Sequence, residues 1–251
     1  MIRGILLDLD GVVYTGTLAL PGSLKAIQRI RQLGMPLKFI TNTTRRPRRK
    51  IVADLATFGL DIDVSDLFTP AALACEYLLR RHLVPILVVH PDLQQEFARL
   101  PRTGREAVVI GDAGPFFSYD LLNGAFRHLI RGAEFLALAK NRNFLDGDGQ
   151  LSLDAGPFVA ALEYASGKTA AVIGKPAPAF FKLAVEGLGC SPAEAVMIGD
   201  DVEADVGGAI AAGLKAVLVR TGKYRPGHEA MLAARAHIAE NLEAAIELLF
   251  G

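Results

Sequence analysis

A chain of 251 residues, 51% of them hydrophobic, can bury a substantial core in one or two domains. Lysine plus arginine balances aspartate plus glutamate at 27 each, which gives no support to bulk electrostatic binding of nucleic acid. No apolar run reaches the roughly 20 residues of a membrane helix, and no leader segment precedes the first strand, so a cytoplasmic protein is expected.

The first strand, Gly4-Ile5-Leu6-Leu7-Asp8-Leu9-Asp10-Gly11-Val12-Val13, is an apolar run ending in two carboxylates two residues apart, then glycine. Residues i and i+2 on a strand point the same way, and beyond its end the second carboxylate can swing over the first. Converging carboxylates are costly unless a cation or a proton sits between them, which suits a metal, a nucleophile and an acid/base in one place. Aspartate and glycine also make ordinary turns, so this segment alone is weak evidence. A helix over 22–33 leads to a strand over 37–41 and to Thr41-Asn42-Thr43-Thr44. Hydroxyl, amide and backbone N–H groups there can hold an anion. Thr43 or Thr44 also fits as the N-cap of a helix beginning near Pro47. That helix is expected over 48–58, stopped by Gly59. Arg45-Arg46-Pro47-Arg48-Arg49-Lys50 reads as a solvated helix start able to draw anions toward Thr41.

Phe68-Thr69-Pro70 breaks the pattern, and a second α/β alternation follows. Helices are expected over 71–81, 119–131 and 157–166, with strands over 86–90, 107–110 and 134–138 and another before Lys175. Ser166-Gly167-Lys168-Thr169 ends like a P-loop, but a helix precedes it and Leu162 holds the required upstream glycine position. Asp146-Gly147-Asp148-Gly149 reads as a hairpin turn, because Phe144 and Ala155 occupy the first and last positions of a would-be calcium loop. The histidines show no metal-ligand spacing. Cys75 and Cys190, the two cysteines, read as reduced thiols. Helices over 179–187, 204–212 and 241–249 then alternate with strands over 196–199 and 216–219. This order predicts a discontinuous core, 1–70 and 172–251, with residues 71–171 inserted into it.

Two later segments carry chemistry. Gly174-Lys175-Pro176 holds a lysine just past an apolar run, and Ile198-Gly199-Asp200-Asp201 ends another strand in acid, with Asp205 one helical turn beyond Asp201. Acidic residues at a helix start also serve as caps. Each segment has a bland explanation by itself. Together they place an acidic pair, hydroxyl donors, a cation and a second acidic pair at the C-terminal ends of parallel-type strands, where open α/β sheets bind ligands. That is the equipment for phosphoryl transfer through an aspartyl intermediate with a divalent metal.

The set Asp8-Leu9-Asp10-Gly11, Thr41-Asn42, Gly174-Lys175-Pro176 and Gly199-Asp200-Asp201 with Asp205 resembles the haloacid dehalogenase (HAD) superfamily. The long insert between Thr41 and Lys175 is similar to the NagD-like subclass IIA. Ala155-Gly156-Pro157-Phe158, Ala161-Leu162-Glu163-Tyr164-Ala165 and Val219-Arg220-Thr221-Gly222-Lys223-Tyr224 bring it nearest the phospholysine phosphohistidine inorganic pyrophosphate phosphatase group.

The resemblance implies an α/β fold: a Rossmann-like HAD core with a parallel sheet and an inserted α/β cap of the C2 type. It implies a phosphatase in which Asp8 is the nucleophile and Asp10 the general acid/base. Asp8, Asp200 and the backbone carbonyl of Asp10 would hold Mg²⁺. Thr41, Asn42 and Lys175 would bind phosphate oxygens, Asp201 and Asp205 would support them, and Arg142 and Asn143 in the Lys140–Phe144 segment would contact substrate. The expected partner is a small phosphorylated molecule rather than a nucleic acid or a membrane, and a homodimer stays open. The competing functions are a phosphotransferase or mutase using the same nucleophile and a regulatory binding protein with little turnover. The presence of Asp8, Asp10, Lys175 and Asp200 together speaks against the second.

Overall fold

The computed structural model describes residues 1–145, 150–232 and 236–251. The chain divides into two compact units: Met1–Thr41, Val52–Phe68 and Lys175–Gly251 form the first, and Asn42–Ile51 with Thr69–Gly174 the second.

In the first unit the Gly4–Asp8 strand is buried along its whole length. Strands covered on both faces read as near-continuous apolar runs, and Ile5, Leu6 and Leu7 supply one. The strand pairs with Ala195–Gly199 on one side and Leu37–Ile40 on the other. The six-stranded sheet runs His237–Ala239, Lys215–Val219, Ala195–Gly199, Gly4–Asp8, Leu37–Ile40, Leu67–Phe68, with every pairing parallel. Helix Ser23–Gln32 buries Ala26, Ile27 and Ile30 at helical spacing, and helix Leu242–Phe250 is capped by the Asn241 side chain, which accepts from the Ala244 amide.

The first strand, expected over 5–8, ends at Asp8, and a small hairpin of Tyr14–Thr15 and Leu18–Ala19 that the pattern does not announce follows it. Where one helix over 204–212 is expected, Val202–Gly207 is π-helical and continues as the short α-helix Gly208–Ala211. The Asp201 carbonyl accepts from both the Asp205 and Val206 amides, which widens the turn. Single π turns of this kind occur often at functional sites.

The second unit holds a four-stranded parallel sheet in the order Ala171–Val172, Glu134–Ala137, Arg105–Ile110, Leu83–Val88. Ala107 and Val109 join one apolar cluster with Leu78 and Leu93, whereas Val108 and Ile110 join another with Leu129 and Val159. That alternation is the period of a strand buried on both faces. The strand expected to start at 86 starts at Leu83 and contains Pro85, tolerable because it lies at the end of the sheet order. Ala171–Val172, which leads toward Lys175, pairs in this sheet, so the four motif-bearing strands do not share one sheet.

Gly167 ends helix Ala155–Ser166 in the left-handed conformation, the role of a loop glycine and not of a P-loop. The Asp146–Gly149 turn lies outside the described residues. Cys75 and Cys190 are free thiols. No helix among the described residues is long and apolar enough to cross a membrane.

Candidate active site

Three adjacent parallel strands of the first unit end in the expected chemistry. Gly4–Asp8 ends in Asp8, Leu37–Ile40 is followed by Thr41, and Ala195–Gly199 by Asp200. Asp8, Thr41, Lys175, Asp200 and Asp205 are all buried. Lys175 Nζ donates to Asp8 Oδ1 at 2.7 Å and to Asp205 Oδ1 at 2.6 Å. Burial works to lower the Lys175 pKa, but the charges of Asp205 and Asp8 outweigh it and hold the ammonium form. Asp205 Oδ2 accepts from the Asp201 amide at 3.1 Å, so both oxygens of Asp205 are engaged. Asp201 in turn caps the π turn, its Oδ1 accepting from the Glu203 and Ala204 amides.

Asp200 is the outlier. Its Oδ2 accepts from the Lys223 amide at 2.6 Å, whereas Oδ1 is buried with no hydrogen-bond partner among the described residues. Burial first, then the charges of Asp8 and Asp205, push its carboxyl up to about 8. A buried carboxylate oxygen without a partner costs free energy unless a cation or proton meets it. Oxygens of Asp8, Asp200 and Asp205 lie within 4.8 Å of one another. Hard oxygen donors in such a cluster fit a divalent cation such as Mg²⁺.

Two glycines make room for Asp200. A Cβ on Gly11 would stand 2.1 Å from Asp200 Oδ2, and one on Gly222 would stand 1.9 Å from it. Both have positive φ, at +84° and +54°. Thr221 Oγ1 donates to the Gly11 carbonyl and ties the two loops together. The roles of Gly222 and of the Lys223 amide are not apparent from residue types. A glycine just past the Lys215–Val219 strand is the available signal, since Thr221-Gly222-Lys223 follows its end as the other motifs follow theirs.

Asp10 is exposed and lies outside the buried carboxylate cluster, next to the turn in which the Gly11 amide donates to the Tyr14 carbonyl. Asn42, Arg142 and Asn143 belong to the second unit, Asn42 half-buried and the other two exposed. The basic run departs from a solvated face. Arg45 pairs with Asp112 and Arg48 with Glu96, while Arg49 and Lys50 are exposed. The helix start also has another cap: the Glu96 carboxylate accepts from the Arg48 amide, and Thr44 Oγ1 accepts from the Asp112 amide.

The family model described as haloacid dehalogenase-like hydrolase matches residues 5–101, and a second, HAD-hydrolase-like, matches residues 172–245. The human phospholysine phosphohistidine inorganic pyrophosphate phosphatase is 40% identical over 255 residues, covering 99% of this chain and 94% of its own. The chain belongs to the haloacid dehalogenase-like hydrolases. Solved structures agree with the assignment of this hydrolase. A 4-nitrophenylphosphatase from Thermotoga maritima is 26% identical with a TM-score of 0.88, covering 98% of this hydrolase and 97% of itself. A glycerol phosphate phosphatase from Mycobacterium tuberculosis, in complex with magnesium, is 29% identical with a TM-score of 0.84, covering 97% of this hydrolase and 76% of itself. The mixed α/β fold with parallel sheets is that of these HAD phosphatases.

Proposed function

We propose that this hydrolase is a Mg²⁺-dependent phosphatase that cleaves phosphate esters, phosphoamides or pyrophosphate through an aspartyl phosphate on Asp8. The observation that carries the reading is the ion pair of Asp8 with Lys175 beside Asp200, whose Oδ1 is buried without a partner among the described residues. A nucleophile, a fixed cation and an open metal ligand then share one buried place. The names of the human relative and of the two structural neighbours support the phosphatase class and a breadth of phosphorylated substrates.

Phosphoryl transfer needs in-line positioning and charge neutralisation more than elaborate covalent chemistry. Asp8 attacks phosphorus while Asp10 gives a proton to the leaving group. Asp10 then takes a proton from water, and that water releases phosphate from Asp8. Lys175, Thr41 and Asn42 hold the phosphoryl oxygens as charge redistributes. Asp8, Asp200 and the Asp10 backbone carbonyl would hold Mg²⁺, whose charge when bound would let a carboxylate approach a phosphate dianion. Asp205 supports the site instead of ligating, because both of its oxygens are spent on Lys175 and the Asp201 amide.

In this reading residues 1–70 and 172–251 are the HAD core and residues 71–171 the cap, with Arg142 and Asn143 contacting the leaving group. A cytoplasmic setting goes with it, supported by the two free thiols. The test is phosphate release from a panel of esters, phosphoamides and pyrophosphate, with Mg²⁺ and with EDTA. Release that needs Mg²⁺ and delivers phosphate to water supports the reading. Transfer to another acceptor with no free phosphate identifies a phosphotransferase, and silence across the panel sinks the enzyme reading.

A further inference from the structure

Arg45 occupies an unusual position in the second unit. Its Nε donates to Asp112 Oδ2 at 2.5 Å and its Nη2 to Asp112 Oδ1 at 3.2 Å, a two-pronged pair on a nearly buried carboxylate. The same guanidinium lies over the Phe144 ring, its Cζ 4.7 Å from the centroid. Asp112 is itself fixed: its Oδ1 accepts from the Gly114 amide at 2.8 Å, and its own amide donates to Thr44 Oγ1 at 2.9 Å. Gly114, with φ +56°, leaves room for the arginine, since a Cβ there would meet Arg45 Nη2 at 3.3 Å.

Phe144 closes the segment that carries Arg142 and Asn143. The other end of that segment is pinned separately. Asn141 Nδ2 donates to Asp154 Oδ2 at 3.0 Å, and the Asp154 amide donates to the Arg142 carbonyl at 3.3 Å. Arg142 and Asn143 therefore lie between two anchors, and the one at Phe144 depends on an arginine three residues after Asn42.

We propose that Arg45 is a positioning residue for specificity: locked by Asp112, it holds Phe144 by cation–π contact and so fixes Arg142 and Asn143 for the leaving group. A stacked, two-pronged site of this kind needs guanidinium; lysine keeps the charge but loses the fork. The inference rests on the proposed substrate role of Arg142 and Asn143.

The experiment uses the full chain with Mg²⁺ and p-nitrophenyl phosphate as the probe. The protein has no tryptophan, so Phe144→Trp gives a single fluorescent reporter at the contact. Arg45→Gln keeps a hydrogen-bond donor for Asp112 and protects against misfolding. It should raise KM roughly tenfold while kcat changes by much less, because positioning for binding is what is lost. Arg45→Lys should recover part of that loss. In the Phe144→Trp background, Arg45→Gln should change tryptophan emission. A raised KM in Arg142→Ala beside an unchanged KM and unchanged emission in Arg45→Gln would overturn the inference alone. Unchanged KM in both Arg142→Ala and Asn143→Ala would overturn the substrate role of the segment, and the inference with it.

Discussion

Lys175 and Asp8, 167 positions apart in the sequence, form a buried ion pair of 2.7 Å, and the same ammonium reaches Asp205 at 2.6 Å. One cation thus serves two carboxylates that would otherwise repel. The pair joins the residue proposed to attack phosphorus to the turn that holds Asp201.

Removing that cation should cost stability as well as activity. Lys175→Met leaves two buried carboxylates unpaired, and breaking a buried pair from one side costs about 3–5 kcal/mol. Urea unfolding should show a loss of that order, and Lys175→Met with Asp205→Asn should recover part of it. A loss below about 1 kcal/mol, the range of surface pairs, would mean that the three groups are not a buried network.

Metal and proton should compete at Asp200. Its folded-state pKa is raised from 3.8 to about 8, so between those values the folded protein binds more protons than the unfolded one. Stability of the metal-free protein therefore falls as pH rises through that window. A divalent cation opposes the same cost by binding the ionised form. The rise in Tm caused by Mg²⁺ should be larger at about pH 8.5 than at about pH 6, and Asp200→Asn should flatten both trends. Equal Mg²⁺ effects at the two pH values would contradict the assignment of Asp200.

Gly222→Ala should damage the site without unfolding the chain. The added Cβ would meet Asp200 Oδ2 at 1.9 Å. Gly16 is a matched control, with φ +60° and nothing among the described residues within 4 Å of its Cβ position. Gly16→Ala bears only the backbone strain of a positive φ, whereas Gly222→Ala adds the collision. Mg²⁺-dependent turnover should fall at least tenfold in Gly222→Ala and stay near wild type in Gly16→Ala, an order-of-magnitude expectation from displacing a metal ligand. Equal losses in both would point to strain alone.

The strand ends were legible in the sequence because buried parallel strands are apolar runs, and a polar residue closing such a run is conspicuous. Asp8, Thr41 and Asp200 stand out for that reason. The partners of these residues were not legible. Nothing in the residue types says that Asp205 meets Lys175, because a π turn, not a regular helix, presents it. The Lys223 amide that binds Asp200 is a backbone group and leaves no trace in side-chain chemistry. Arg45 looked like one charge in a basic run, and its pairing with Asp112 depends on residues 67 positions apart. Pro85 hid the start of an edge strand, since proline normally argues against one.

Asp10→Asn should separate leaving groups. Protonation matters most when the leaving group is a poor one, so this variant should lose far more activity on alkyl phosphates than on p-nitrophenyl phosphate. Initial rates on the two substrate types decide it. Equal losses would reduce Asp10 to a structural or metal-site residue.

The measurement that bears most directly on the mechanism is the state of Asp8 during turnover. Asp10→Asn also lacks the base that activates water, so the aspartyl phosphate should accumulate. Acid quenching after mixing that variant with Mg²⁺ and p-nitrophenyl phosphate, followed by peptide mass spectrometry, should place a phosphoryl group on Asp8. Asp8→Asn, folded by circular dichroism, should carry none and should retain less than about a hundredth of wild-type turnover. An unmodified Asp8 in the first variant, together with sustained turnover in the second, would contradict covalent catalysis by Asp8.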